Sequence, residues 1–168
     1  HEHGLHAVQE FDSLELRNGS HDMRDRGFYM SNLFTDQTLM EMGQLAPHGR
    51  FIHLYINGSY WGLYHMRERW NAAMHASYLG GQKEDYEAIN GNYNVGGWAT
   101  PGQPFDGDGA AWEYAKSKRT SYSELRGLVD VANYTDYMIT WMFGNSEDEW
   151  RGVSPNRLIG PGSGSRFI

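Results

Sequence analysis

Apolar and polar residues alternate from Phe11 to Leu16, and Arg17-Asn18-Gly19-Ser20 closes the run with turn-forming residues. A period of two puts every second side chain on one face, so this stretch predicts a strand followed by a turn. Asp22-Met23-Arg24-Asp25 then offers an N-cap with an acid three residues on, leading into the apolar Phe28, Met30, Leu33, Phe34, Leu39 and Met42. This pattern predicts a helix that stops near Gly43. Phe51 to Ile56 and Tyr60 to Met66 are β-rich runs on either side of Asn57-Gly58. Both turn residues accept positive φ at little cost, so the pair predicts a tight hairpin.

Further along, the signals thin out. A short helix is expected from Asn71 to Tyr78, while residues 80–109, crowded with Gly, Asn, Pro and Asp, read as a long surface loop. Helix is expected again over Ala110 to Lys116 and Ser123 to Phe143, the latter restarting at Asp130 as an N-cap. Leu125, Leu128, Ala132, Met138 and Met142 are its expected inner face. Asn156-Arg157-Leu158-Ile159, a Gly-Pro-Gly-Ser-Gly turn and Arg166-Phe167-Ile168 predict a closing hairpin whose second strand is unfinished. No internal repeat is visible. The element order predicts an α+β fold in which a small antiparallel sheet with a helix precedes a mostly helical part.

Composition narrows the class. With 168 residues, 39% of them hydrophobic, the chain is long enough for one domain with a real core. A net charge of −7, with its 14 Lys and Arg scattered rather than clustered, argues against a nucleic-acid partner. No apolar run approaches the roughly 20 residues of a membrane helix, so no span is expected in this segment. The absence of cysteine removes any disulfide argument about compartment. The chain opens on His1 without an initiator Met and stops within a strand-like run, so both ends are expected to be cut.

Four stretches together resemble the CotH (spore coat protein H) kinase family. They are Leu14-Glu15-Leu16-Arg17-Asn18-Gly19 with Asp22; Asn57-Gly58-Ser59-Tyr60-Trp61-Gly62-Leu63-Tyr64 with Glu68; Asp130-Val131 with Asp136-Tyr137; and Gly144-Asn145 through Asp148 to Asn156. The second is the most specific. The resemblance implies an atypical protein-kinase-like layout in a single partial domain over 1–168, incomplete at both ends. Residues 1–10 would be a ragged terminus, 11–69 a sheet-and-helix part, and 70–168 a helical part carrying the catalytic-loop equivalent. It further implies an ATP- and Mg2+-dependent Ser/Thr protein kinase acting on spore-surface or secreted proteins, hence a nucleotide, a protein substrate and an extracytoplasmic location. The family's Trp-Asp metal motif does not follow Phe167-Ile168, and a phosphate-covering segment is absent before residue 11, so the chain is expected to be inactive as it stands.

Under that resemblance Asp148, just after a long helix, is the catalytic acid/base that accepts the substrate hydroxyl proton. Its alternative is a solvated acidic loop, and neighbouring Glu147 and Glu149 leave the register open. Asn156, eight positions on (156 − 148), would bind the divalent cation through its carbonyl oxygen, although a kinase spaces Asp and Asn more closely; otherwise it caps a turn after Pro155. Glu68 would contact the nucleotide or fix the linker, or is simply a surface acid between Arg67 and Arg69. Arg17 stands where a kinase has Lys and would pair with phosphate or with an acid. Asp22 reads better as a helix cap.

Two other readings come from different classes. His1-Glu2-His3 with His6 has no further ligand at a fixed spacing and reads as a terminus rather than a zinc site. Tyr55, Tyr60, Trp61 and Tyr64 would make a sugar-stacking face if exposed, or ordinary packing residues if not. The second functional hypothesis is accordingly a non-catalytic binding or structural module of a surface protein.

Overall fold

A computed structural model describes residues 6–18, 29–90, 103–144, 156–158 and 166–167, and the chain divides into two compact units, His1–Trp70 and Asn71–Ile168. The fold is α+β, with two small antiparallel sheets and several helices.

In the first unit, β1 (Leu14–Arg17), β2 (Gly49–Ile56) and β3 (Ser59–Glu68) form an antiparallel sheet in the order β1-β3-β2, and α1 (Ser31–Glu41) lies between β1 and β2 in sequence. The hairpin has the expected cause. Asn57 and Gly58 take φ of 51° and 81°, the double positive φ of a turn whose twist matches that of the strands. The strands run longer than the apolar pattern indicated, because main-chain pairing continues through Gly49, Arg50 and Arg67 between β2 and β3, and through Glu68 opposite Leu14 of β1, whatever their polarity.

Register sorts the side chains. Glu15 pairs with Arg67, Arg17 with His65 and Phe51 with His65, so these residues share one face. Leu14, Leu16, Ile52, Tyr64 and Met66 occupy the other. The helix begins at Ser31, after Met30 at φ −94° and ψ 2°, later than a cap at Asp22 would place it; Asp22 itself lies outside the described residues. Its expected apolar stripe is only partly inward: Leu33 and Leu39 are half-buried, Met30, Phe34 and Met42 are exposed, and Phe28 lies outside the described residues. Asp36 is the helix's buried residue, and it meets Arg67 of the sheet.

The second unit joins its helices to a second small sheet. Residues 80–109 are not one long loop: a single 3-10 turn (Lys83–Asp85) leads into β4 (Tyr86–Asn90), which pairs with β5 (Gln103–Asp106). β4 also pairs with β6 (Asn156–Leu158), which pairs with β7 (Arg166–Phe167), giving the sheet order β5-β4-β6-β7. Local composition could not show this, since β6, which pairs with β4 on the edge away from β5, lies far along the chain. The strand has the burial to match, with Tyr86, Ala88 and Ile89 at 2% exposure or less. The closing hairpin of the sequence reading is β6-β7.

The helices α2 (Ala72–Leu79), α3 (Ala110–Ser117), α4 (Tyr122–Leu125) and α5 (Val131–Phe143) fall close to their expected places. Asn71 caps α2, its side chain accepting from the Met74 N–H at 2.9 Å. Asp130 caps α5 by accepting from the Asn133 N–H at 3.0 Å. The inner face of α5 differs from expectation. Leu125, Leu128 and Met138 are half-buried, but Ala132 and Met142 are exposed, while Asn133, Asp136, Tyr137, Thr140 and Trp141 turn inward at helical spacing. Apolar residues lie all round this helix, so their spacing alone does not set its phase.

An added Cβ at Gly58 meets no atom within 4 Å, so substitution there tests backbone strain alone. Gly58→Ala is expected to lower unfolding free energy by about 1–2 kcal/mol in a denaturant titration, the cost of a left-handed conformation for an L-residue. An unchanged midpoint would contradict the turn assignment.

Candidate functional site

The polar face of the first sheet converges on Arg67. Its Nε donates to Glu15 on β1, and its Nη1 donates to Asp36 Oδ2 on α1 at 3.0 Å. Strand alternation explains the first contact, because Leu14 and Leu16 occupy the opposite face and leave Glu15 beside Arg67. Arg67 and Asp36 side chains keep only 14% and 10% of their exposure, so one cation is shared by two acids away from most water.

The electrostatics follow from that sharing. Burial pushes the Asp36 carboxyl from its ordinary 3.8 up to about 6, against the pull of Arg67. Burial works against the Arg67 cation, but Asp36 and Glu15 outweigh it and keep the guanidinium charged. His65, paired across from Arg17, is held below its usual range first by burial and then by Arg67 and Arg17, so its ring is neutral. Its ring packs on Phe51 with centroids 5.2 Å apart, and Phe51 also meets Tyr29 at 5.1 Å. Tyr29 donates its hydroxyl to the Leu63 carbonyl. Close approach leaves no room for a side chain at position 49, where a Cβ would stand 2.6 Å from His65 Nε2 and 2.7 Å from Arg67 Cβ. Glycine is required there.

At the end of β3, Glu68 is 3% exposed, which rules out its reading as a surface acid. Its Oε2 accepts from the His48 backbone N–H at 2.7 Å and from His48 Nδ1 at 3.2 Å, while the Glu68 N–H donates to the His48 carbonyl at 3.0 Å. These contacts fasten the segment before β2 to the last residue of β3. Arg17 is half-buried at the end of β1, close enough to Asp36 and His65 to act on both electrostatically. Asn156 opens β6 with its Cα opposite Ala88. Asp148, with Glu147 and Glu149, lies outside the described residues, as does the side chain of Asn156. The structure thus brings Arg17 and Glu68 into one sheet. It adds Glu15, Asp36, His48, His65 and Arg67, which the sequence reading did not single out; only the alternation about Leu14 and Leu16 hinted at Glu15.

Among the described residues no group of three or more His, Asp or Glu side chains is arranged to hold a metal ion, and no helix is long and apolar enough to cross a membrane. His6 is described and exposed.

The sequence model of the CotH kinase protein family matches residues 1–110, about two thirds of the chain, and covers the whole Arg67 network. The chain belongs to that family. No curated protein and no solved structure matches it.

Two outcomes test the network. Arg67→Met strands two acids on a partly buried face and is expected to cost about 3–5 kcal/mol at neutral pH, read from chemical denaturation; a loss below about 1 kcal/mol would show the ion pairs to be dispensable. The second is a pH profile. Folded Asp36 holds its proton more tightly than the unfolded chain does, so its contribution is largest below pH 3.8, declines as pH rises to about 6, and is flat above. Compared with Asp36→Asn, the wild-type chain is expected to lose up to about 3 kcal/mol across that window. Parallel profiles for the two would refute the shifted acid.

Proposed function

We propose that the protein is an ATP- and Mg2+-dependent kinase of the CotH type, transferring phosphate to Ser or Thr of secreted or spore-surface proteins outside the cytoplasm. The observation that carries this reading is the strand-to-helix ionic network within the stretch matched by the family. Protein kinases align the phosphates of ATP with a strand cation tied to a helix acid. Here Asp36 supplies the helix acid, Arg67 holds it to the sheet, and Arg17, at the neighbouring strand position, is the proposed phosphate contact. Arg suits that task, since its planar fork meets phosphate oxygens in a bidentate fashion.

Glu68 fits a supporting role better than direct nucleotide contact, because its Oε2 is engaged by His48. Asp148 is the proposed general base, accepting the proton of the substrate hydroxyl, and Asn156 the proposed cation ligand. Magnesium, when bound, offsets phosphate charge and holds the transferring group in line. A non-catalytic binding role is the second reading, and the exposed aromatics of the β2-β3 hairpin favour it.

The test is phosphate transfer from labelled ATP with Mg2+ to a Ser/Thr-rich protein, made with a longer chain that carries the family's Trp-Asp motif. Asp148→Asn is expected to reduce incorporation by at least about 100-fold while nucleotide binding, followed by thermal shift, persists; an amide keeps the shape of the carboxylate but takes no proton. Glu147→Gln and Glu149→Gln should retain near-normal activity and stability within about 0.5 kcal/mol. A dead control beside an active Asp148→Asn would move the catalytic position, and the absence of any nucleotide-dependent shift would favour the non-catalytic reading.

A further inference from the structure

No Asp, Glu, Lys or Arg lies between Arg50 and Arg67, so the outer part of the β2-β3 hairpin carries no formal charge. Tyr55, Tyr60 and Trp61 on this hairpin are 61%, 55% and 63% exposed, which makes them surface rather than packing aromatics. Cross-strand register explains how Tyr55 and Tyr60 meet. Tyr55 pairs with Tyr60 and Leu54 with Gly62, leaving Trp61 as the extra residue of a β-bulge. Tyr55 and Tyr60 therefore stand side by side, with ring centroids 5.2 Å apart, and His53 continues the row at 5.7 Å from Tyr60. A hydrogen bond of 3.1 Å between His53 Nδ1 and the Tyr60 hydroxyl fixes the middle ring.

From this arrangement we infer that the hairpin tip is a binding site for a neutral polysaccharide, with Tyr55, Tyr60 and Trp61 stacking against sugar rings and His53 and the tyrosine hydroxyls reaching the sugar hydroxyls. The inference does not depend on phosphotransfer. Charge decides first, because a phosphate, nucleic-acid or acidic-peptide ligand would meet no Lys or Arg along the row. Aromatic rings that carry a polar group suit a ligand with apolar C–H faces and hydroxyl edges. Geometry decides next. The rings in the row are inclined by 46° and 55° to their neighbours, so one flat polycyclic ligand cannot lie on all of them. A glycan chain, whose successive pyranose rings are turned relative to one another, can. A polyproline segment repeats about every 9 Å, which does not match rings little more than half that distance apart.

Affinity electrophoresis of the chain through native gels containing hydroxyethylcellulose, glycol chitin or laminarin tests the inference. At least one polymer is expected to retard the wild-type chain, and the retardation should persist at about 0.5 M salt because no ion pair is involved. Trp61→Ala and Tyr60→Ala should each weaken the apparent affinity by about tenfold, with native circular dichroism. Tyr55→Ser, at another largely exposed ring, serves should either of these fail to fold. Failure of all three polymers to retard the wild type would overturn the inference, as would retardation unchanged in folded variants. Self-association abolished by Trp61→Ala, or binding of a polyproline peptide in place of the polymers, would assign the aromatic row to a protein partner and overturn it equally.

Discussion

A guanidinium taken largely out of water has to be neutralised where it sits, and Arg67 imposes that demand on the whole first unit. Glu15 must arrive from β1 and Asp36 from α1, so one side chain ties together both strands of a pair and the helix that covers them. Such a cluster contributes less to net stability than to specificity, since desolvating three ionic groups offsets much of their attraction. The helix cannot slide or rotate without leaving a buried charge unpaired. The requirement extends to neighbours. His65 is kept neutral beside two arginines, and residue 49 is left without a side chain so that His65 and Arg67 can lie against the backbone.

The same cluster is what the proposed phosphotransfer draws on. Phosphoryl transfer rests on positioned charge more than on covalent chemistry, and a rigid acid-cation pair between a strand and a helix is one way to position it. Arg17 lies on the same sheet face, paired across from His65. Glu68, closing β3 through three hydrogen bonds with His48, steadies the end of the sheet. At the opposite end of the hairpin the chain abandons charge altogether and exposes aromatic rings. One hairpin therefore presents two chemically separate surfaces, an ionic one beneath the helix and a neutral one at the tip.

Legibility followed the range of the interaction involved. The Asn57-Gly58 turn, the Asn71 and Asp130 caps and the positions of α2, α3 and α5 are local events, decided within a few residues by φ preference and by carboxylate or amide side chains accepting from exposed N–H groups. Each was readable. The strands within 80–109 depend in part on β6, far along the chain, and the start of α1 and the inner face of α5 are not marked by residue type, so there the reading was wrong or incomplete. Arg17 and Glu68 were visible as candidates through family resemblance, but the burial of Glu68 and its bonds to His48 were not.

By itself, then, the sequence determined the hairpin, its charge-free tip, the helix caps and the family, because each rests on residue type at short spacing. Tertiary structure alone decided that Arg67 would face Glu15 and Asp36, that Glu68 would be buried, and that Tyr55, Tyr60 and Trp61 would meet solvent. The physical reason is that burial is a property of what lies across the gap from a side chain. A carboxylate is identical in sequence whether it caps a strand or faces water, and only the partner brought to it by the fold distinguishes the two.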